Sequence, residues 1–141
     1  MYRRRFLRRA GAAGSAAATV GLAGCASVGG EPDYDVGMVA TAYRPREVTV
    51  SVGDTVVWEN TSARAHTVTA TEGGIPDAAE FFASGGFDDY ASAESAWWSD
   101  FGGRLENGDR FDHTFTVPGT YEYVCIPHRK AGMFGTVVVE E

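Results

Sequence analysis

The chain has 141 residues, with 18 glycines, 12% aromatic residues and a formal net charge of −7. That size and composition fit one folded domain rich in turns and exclude a disordered chain or a large multidomain protein. Residues 1–24 hold five arginines and no acid, so the remainder carries seven basic and nineteen acidic residues, a net of −12. A surface this acidic repels phosphate backbones and excludes a nucleic-acid partner; it suits a partner with a basic docking face, a very salty solvent, or simple solubility.

The chain opens Met-Tyr-Arg-Arg-Arg-Phe-Leu-Arg-Arg and continues into a weakly apolar stretch, residues 10–23. Basic residues followed by a short apolar run have the layout of a signal peptide, and the run is too short to span a bilayer. Arg3-Arg4-x-Phe6-Leu7 resembles a twin-arginine export signal. Leu22-Ala23-Gly24-Cys25 resembles a lipobox, which implies a lipid on Cys25 as the new N-terminus. The expected organisation is a signal peptide over 1–24, a tether over 25–36 and a folded domain over 37–141.

In the folded part, residues 47–52, 55–59, 66–69, 110–117, 120–125 and 134–140 alternate apolar and polar side chains with period two. Gly53-Asp54 and Pro118-Gly119 supply turns between them. The predicted class is all-β, a Greek-key sandwich. Residues 71–103 break that rhythm and are too long for a plain loop. A helix is predicted from Pro76 and stopped by Gly85-Gly86, and a second over 88–98. This insert carries Phe81, Phe82, Phe87, Tyr90, Trp97, Trp98 and Phe101. Most are expected to pack on the sandwich; a partner-docking surface is the alternative.

The chemistry concentrates in Cys125-Ile126-Pro127-His128-Arg129-Lys130-Ala131-Gly132-Met133. A thiolate, an imidazole and a thioether within nine residues suit copper, and a trigonal His₂Cys set with a weak axial Met marks electron-transfer copper. His66, at a strand start after a polar loop, is the candidate for the second imidazole. A structural zinc site would want paired cysteines instead. A lone Cys or a lone Met is more often core than metal ligand; the spacing of Cys, His and Met between two predicted strands argues for the metal. His113, between Phe111 and Phe115 on a strand face, is expected to be a packed histidine and no ligand.

Cys125-x₂-His128-x₄-Met133 resembles the ligand loop of the cupredoxins, nearest the plastocyanins and halocyanins. The surrounding Gly119-Thr120-Tyr121-x-Tyr123-x-Cys125, Gly135-x-Val137-x-Val139 and Tyr43-x-Pro45-x-x-Val48-x-Val50-x-x-Gly53-Asp54-x-Val56-x-Trp58 resemble the same family. The resemblance implies one type 1 copper held by His66, Cys125, His128 and Met133, with a solvent-facing edge of His128 near Pro127, Ala131 and Gly132. It implies a single-electron carrier, no enzyme, that meets membrane-bound or soluble redox proteins. The halocyanin likeness points to a salt-loving archaeon. The family often has Asn after the first histidine, where this chain has Thr67; that residue and Pro127, which lacks an N–H, are the expected neighbours shaping the thiolate's surroundings.

With the signals at its N-terminus, the chain is expected as a monomer, lipid-anchored at Cys25 on the extracytoplasmic face of the membrane. The alternative is a copper-storage lipoprotein without an electron-transfer role. A copper enzyme would want further histidines, and His113 is the only one left. A metal-free surface lipoprotein would leave the ligand loop unexplained.

Overall fold

Period-two alternation with β-branched and aromatic residues on one face is what a half-buried strand requires, and the longer strands of this chain obey it. The computed structural model describes residues 33–141; the export signal, Cys25 and the tether up to residue 32 lie outside them. The elements are β1 (Val36–Met38), β2 (Tyr43–Arg44), β3 (Glu47–Ser51), β4 (Thr55–Asn60), β5 (Thr69–Ala70), α1 (Tyr90–Asp100), β6 (Arg110–Thr114), β7 (Gly119–Val124) and β8 (Phe134–Glu140). They form two four-stranded sheets, ordered β2-β1-β4-β6 and β3-β8-β7-β5. The β1–β4 and β3–β8 pairs are parallel and the others antiparallel. This is the expected β-sandwich.

Between the sheets, β4 turns Val56, Trp58 and Asn60 inward, while β8 contributes Val137 and Val139. Trp58 is the centrepiece, with ring centroids of Phe111 at 5.6 Å and Tyr123 at 5.3 Å. Edge-on and offset aromatic contacts of this kind add about 0.5–1.5 kcal/mol each beyond area burial. Gly135 is where β8 crosses the Tyr123 ring, and any Cβ there would strike it. Gly53 holds φ +97 in the β3–β4 turn, whose Asp54 carboxylate accepts the Ser51 N–H at 2.9 Å.

Several expectations need correction. Val36, given to the tether, is fully buried in β1. Before it, Asp35 exchanges two hydrogen bonds with Val57, each 2.8 Å; the domain therefore starts earlier than 37. The strand expected over 66–69 is split. His66 bridges Leu105 beside one sheet, while Thr69 pairs with Val124 in the other, so the chain changes sheets between them. The helix expected from Pro76 does not form. One turn closes from Ala79 N–H to the Pro76 carbonyl, and residues 82–84 then run extended beside β5. The physical reason is burial: an extended run carries Phe82 into the inter-sheet core and Ala83 into a second cluster.

The second predicted helix is α1. Asp89 caps it by accepting the Ser92 N–H at 2.8 Å, the arrangement that satisfies an orphan N-terminal donor. Phe101, at φ 61, ends it by donating its N–H to the Trp97 carbonyl. Tyr90, Ala93 and Trp97 pack with Ala83, Val124 and Ile126 in a cluster beside the start of the ligand loop. The aromatics of the insert therefore divide: Phe82, Tyr90 and Trp97 are buried, whereas Trp98 and Phe101 are 65% and 56% exposed.

Candidate metal centre

Two chain segments deliver the predicted ligands to one end of the sandwich. Cys125 follows β7 directly, and the chain then turns through a kinked 3₁₀ segment, Ile126–Ala131, before β8. Its bonds are short-range: Cys125 N–H to the Met133 carbonyl (3.0 Å), His128 N–H to the Cys125 carbonyl (3.1 Å) and Met133 N–H to the His128 carbonyl (3.2 Å). The loop is thus folded back so that Cys125, His128 and Met133 are backbone neighbours. Pro127 sits in its first turn, where a missing N–H costs nothing. Gly132, at φ +85, lets the chain reverse into β8.

His66 arrives from the other side. Its N–H and C=O both bond Leu105, at 3.1 and 2.8 Å. The Cys125 Sγ stands 3.5 Å from His66 Nδ1 and 3.4 Å from His128 Nδ1, and the three ligand atoms all lie within 4.8 Å of one another. With Nδ1 turned to the thiol as a lone pair, His66 Nε2 carries the proton and donates to Ser62 Oγ at 3.0 Å. Ser62 Oγ in turn donates to Asn60 Oδ1 at 2.8 Å. The buried Asn60 amide donates to the carbonyls of Arg64 (2.6 Å) and Leu105 (2.8 Å). That closes a ring of bonds around the first histidine. No spacing rule picks out Asn60 and Ser62; the polar run just before His66 was the available signal.

Thr67 touches the thiol through its backbone and the ligand loop through its side chain. Its N–H points at Cys125 Sγ (3.4 Å), and its Oγ1 accepts the Ile126 N–H at 3.0 Å. One side chain thereby ties the two ligand-bearing segments together. Met133 is fully buried. His113 is not part of the cluster; its ring stacks on Phe82 at 4.7 Å and meets Phe115 edge-on at 4.8 Å.

Electrostatics keep the trio neutral. Burial pushes the Cys125 thiol up to about 11, against the hydrogen bonds from Thr67 and His128 that favour the thiolate. Burial, then the neighbouring His128, bring His66 down to about 4, and burial also lowers His128. Two imidazole lone pairs and a thiol converging in a buried space are poor partners for one another. They are a good donor set for a metal: soft sulfur and borderline nitrogen, with no carboxylate. Binding would displace the thiol proton, as metal binding to thiolates does. The residues present therefore fit one copper.

Comparison with known proteins agrees. The family described as "Copper binding proteins, plastocyanin/azurin family" matches residues 31–140. A plastocyanin of Scenedesmus fuscus is 32% identical over 101 residues, 72% of this chain and 89% of that protein. A chloroplastic plastocyanin of Oryza sativa subsp. indica is 30% identical over 133 residues, 92% of this chain and 77% of that protein. The chain spans 60% of a chloroplastic plastocyanin of Tetradesmus obliquus. Among solved structures, an amicyanin from Paracoccus versutus aligns with a TM-score of 0.53 at 28% identity, covering 74% of this chain and 78% of that one. With the sandwich, the converging His66, Cys125 and His128, and these likenesses together, the chain belongs to the plastocyanin/azurin family of copper-binding proteins, the cupredoxins.

Proposed function

We propose that this protein is a mononuclear blue copper electron carrier, not an enzyme, anchored by a lipid on Cys25 to the outer face of the cell membrane. The observation that carries the electron-transfer reading is a buried thiol facing two imidazole Nδ1 atoms at 3.4 and 3.5 Å. Copper, when bound, supplies a one-electron couple and, through its thiolate bond, an intense visible band. The protein's part is to hold ligands still. Cys125 gives up its proton and presents Sγ beneath the Thr67 N–H. His66 offers a neutral Nδ1 fixed by Ser62. His128 offers the second nitrogen and keeps a partly exposed position between Pro127 and Arg129, where an electron enters or leaves. Met133 would supply a thioether to the same metal. Its burial and its backbone bonds to both Cys125 and His128 support that role.

The test is optical. Oxidised wild type with added copper is expected to show a strong visible band that vanishes on reduction, and Cys125→Ser to bind copper without it. Met133→Leu is expected to keep the colour and raise the reduction potential, because a weak donor to the oxidised metal is lost. A colourless wild type at full copper occupancy overturns the reading; an unchanged potential in Met133→Leu removes Met133 from the set.

The anchor rests on Arg3-Arg4-x-Phe6-Leu7 and Leu22-Ala23-Gly24-Cys25. Among the described residues no helix is long and apolar enough to cross a membrane. Two lipid chains on one cysteine would hold the domain stably where one would not. Seven residues separate Cys25 from residue 33, so a lipid on Cys25 would keep the domain near membrane-bound redox partners. Cys25→Ser is expected to shift the protein out of the membrane fraction with its colour intact. If that variant is processed normally and stays with membranes, the lipid is not what holds it.

A further inference from the structure

The end of the sandwich that presents His128 differs in charge from the rest of the molecule. Of the seven arginines and lysines after residue 32, Arg64, Arg104, Arg129 and Lys130 gather here, while the other three sit at Arg44, Arg46 and Arg110. Arg104 is answered by Glu106 at 3.1 Å. Arg64 is exposed, and its backbone carbonyl is held by Asn60 in the bond network around His66; its charge is felt at both imidazoles. Arg129 and Lys130 are exposed and directly follow His128. Glu94 is the one acid that lines the same cleft. The cleft is therefore lined by two basic residues and one acid, on a chain whose overall charge is −7.

The same end carries an apolar anchor. A cleft of about 370 Å³ runs between α1 and the Ile126–Ala131 segment, lined by Glu94, Trp98, Ile126, Pro127, Arg129 and Lys130. Trp98, 65% exposed, forms one wall. Arg129 is pre-positioned: its Nη1 donates to the Tyr90 hydroxyl at 2.6 Å, and its guanidinium lies 5.3 Å from that ring's centre. Tyr90 and Trp97 root this wall in the second aromatic cluster, so the surface does not have to be ordered when a partner arrives. Exposed Trp beside ordered Arg is the composition of interface hot spots. A basic rim around it selects the partner's charge and steers encounter.

Resting on the electron-carrier reading, we propose that this cleft is the docking surface for an acidic redox protein, with Trp98 as the apolar anchor and Arg64, Arg129 and Lys130 as the basic rim. The acidic remainder of the chain then repels the same partner, so productive encounters occur with the His128 end first.

The test uses the copper-loaded full chain and two forms of one electron donor: reduced cytochrome c, which is basic, and the same protein fully succinylated, which is acidic. Bleaching of the blue band is followed by stopped flow. Net charge alone favours the basic form. The docking surface favours the succinylated form, by about tenfold or more at low ionic strength, with the advantage fading as salt rises. Arg64→Glu with Lys130→Glu is expected to reverse that preference, and Arg64→Gln with Lys130→Gln to abolish it, with the blue band unchanged in both. Trp98→Ala is expected to slow the succinylated form several-fold without altering its salt dependence.

Equal rates for the two donors, a preference for the basic form, or a preference that survives the charge reversal would each overturn the proposal. Binding to phosphatidylglycerol vesicles that disappears in the reversed variant, with no preference between donors, would reassign the surface to the membrane. Concentration-dependent self-association lost in that variant would reassign it to a second copy. If neither donor nor hexacyanoferrate exchanges electrons with the blue site, the carrier reading itself falls and takes this one with it.

Discussion

The two imidazoles reach the same thiol from regions built very differently. His66 is fully buried, its backbone bonded twice to Leu105 and its ring proton held by Ser62. His128 lies in a kinked segment with non-helical φ −118 and ψ 21, partly open to solvent. Its ring nitrogen faces the Cys125 thiol. One side is made to hold a ligand, and the other to present one. A carrier needs both: a geometry that does not relax between oxidation states, and an edge a partner can touch.

The largest effects come from deleting each imidazole. His66→Gly and His128→Gly are both expected to lose the blue band. Added imidazole is expected to restore it in His128→Gly, where the gap opens to solvent, and not in His66→Gly, where it is sealed. Absorbance titration with imidazole reads the difference, and equal rescue would erase the asymmetry. Next comes the frame behind His66. Asn60→Ala removes four hydrogen bonds at once, one buried and three part-buried, each worth about 0.5–1.5 kcal/mol. Urea unfolding of the copper-free protein is expected to show a loss of about 3 kcal/mol, against less than about 0.5 kcal/mol for Lys130→Ala on the open side. Thr67→Val is smaller, about 1–2 kcal/mol, because the buried Ile126 N–H loses its acceptor and the Thr69 hydroxyl its Thr67 partner. Its colour is expected to persist, since the Thr67 backbone N–H still points at Sγ.

The same division explains what could be read from residues alone. The open side was legible because Cys125 and His128 are three residues apart, which leaves little freedom about where they meet. The strands β3, β4, β6, β7 and β8 were legible because five or more alternating residues outvote chance. By contrast, β1, β2 and β5 have two or three residues each, too few to carry a period, and their pairing is imposed by neighbours. α1 announced itself through the run that Asp89 caps. The stretch after Pro76 had a helix's start signal, but Phe82 and Ala83 had to enter two different clusters, and only extended chain allows that. The frame around His66 was hidden for a related reason. Asn60 and Ser62 acquire their roles only after the loop closes against Leu105 and Asn107, whose side-chain amide donates to the Ser62 carbonyl at 3.0 Å.

Ser62→Ala probes that frame most gently. The substitution removes the acceptor for His66 Nε2–H and the hydroxyl donor to Asn60 Oδ1. Two features limit the damage. Ser62 is only partly buried, so water can reach the gap, and the Val39 carbonyl lies within hydrogen-bonding reach of the imidazole. Asn60 also keeps its Ser62 N–H contact at 2.9 Å, which a backbone donor supplies whatever the side chain. The expected stability loss is therefore about 0.5–1 kcal/mol. Partners of this kind commonly change metal affinity by about 10–100-fold; with Val39 as a substitute, copper loss to a chelator is expected to quicken about tenfold at most. Ser62→Thr, which keeps the hydroxyl, is expected to restore the slow rate. That rescue separates a role in orienting the ring from a general weakening of the loop, because both variants disturb the loop while only one lacks the acceptor. Chelator kinetics indistinguishable among wild type, Ser62→Ala and Ser62→Thr would mean that the Leu105 backbone pair alone fixes His66, and that the contrast between the two imidazoles lies in burial and not in hydrogen bonding.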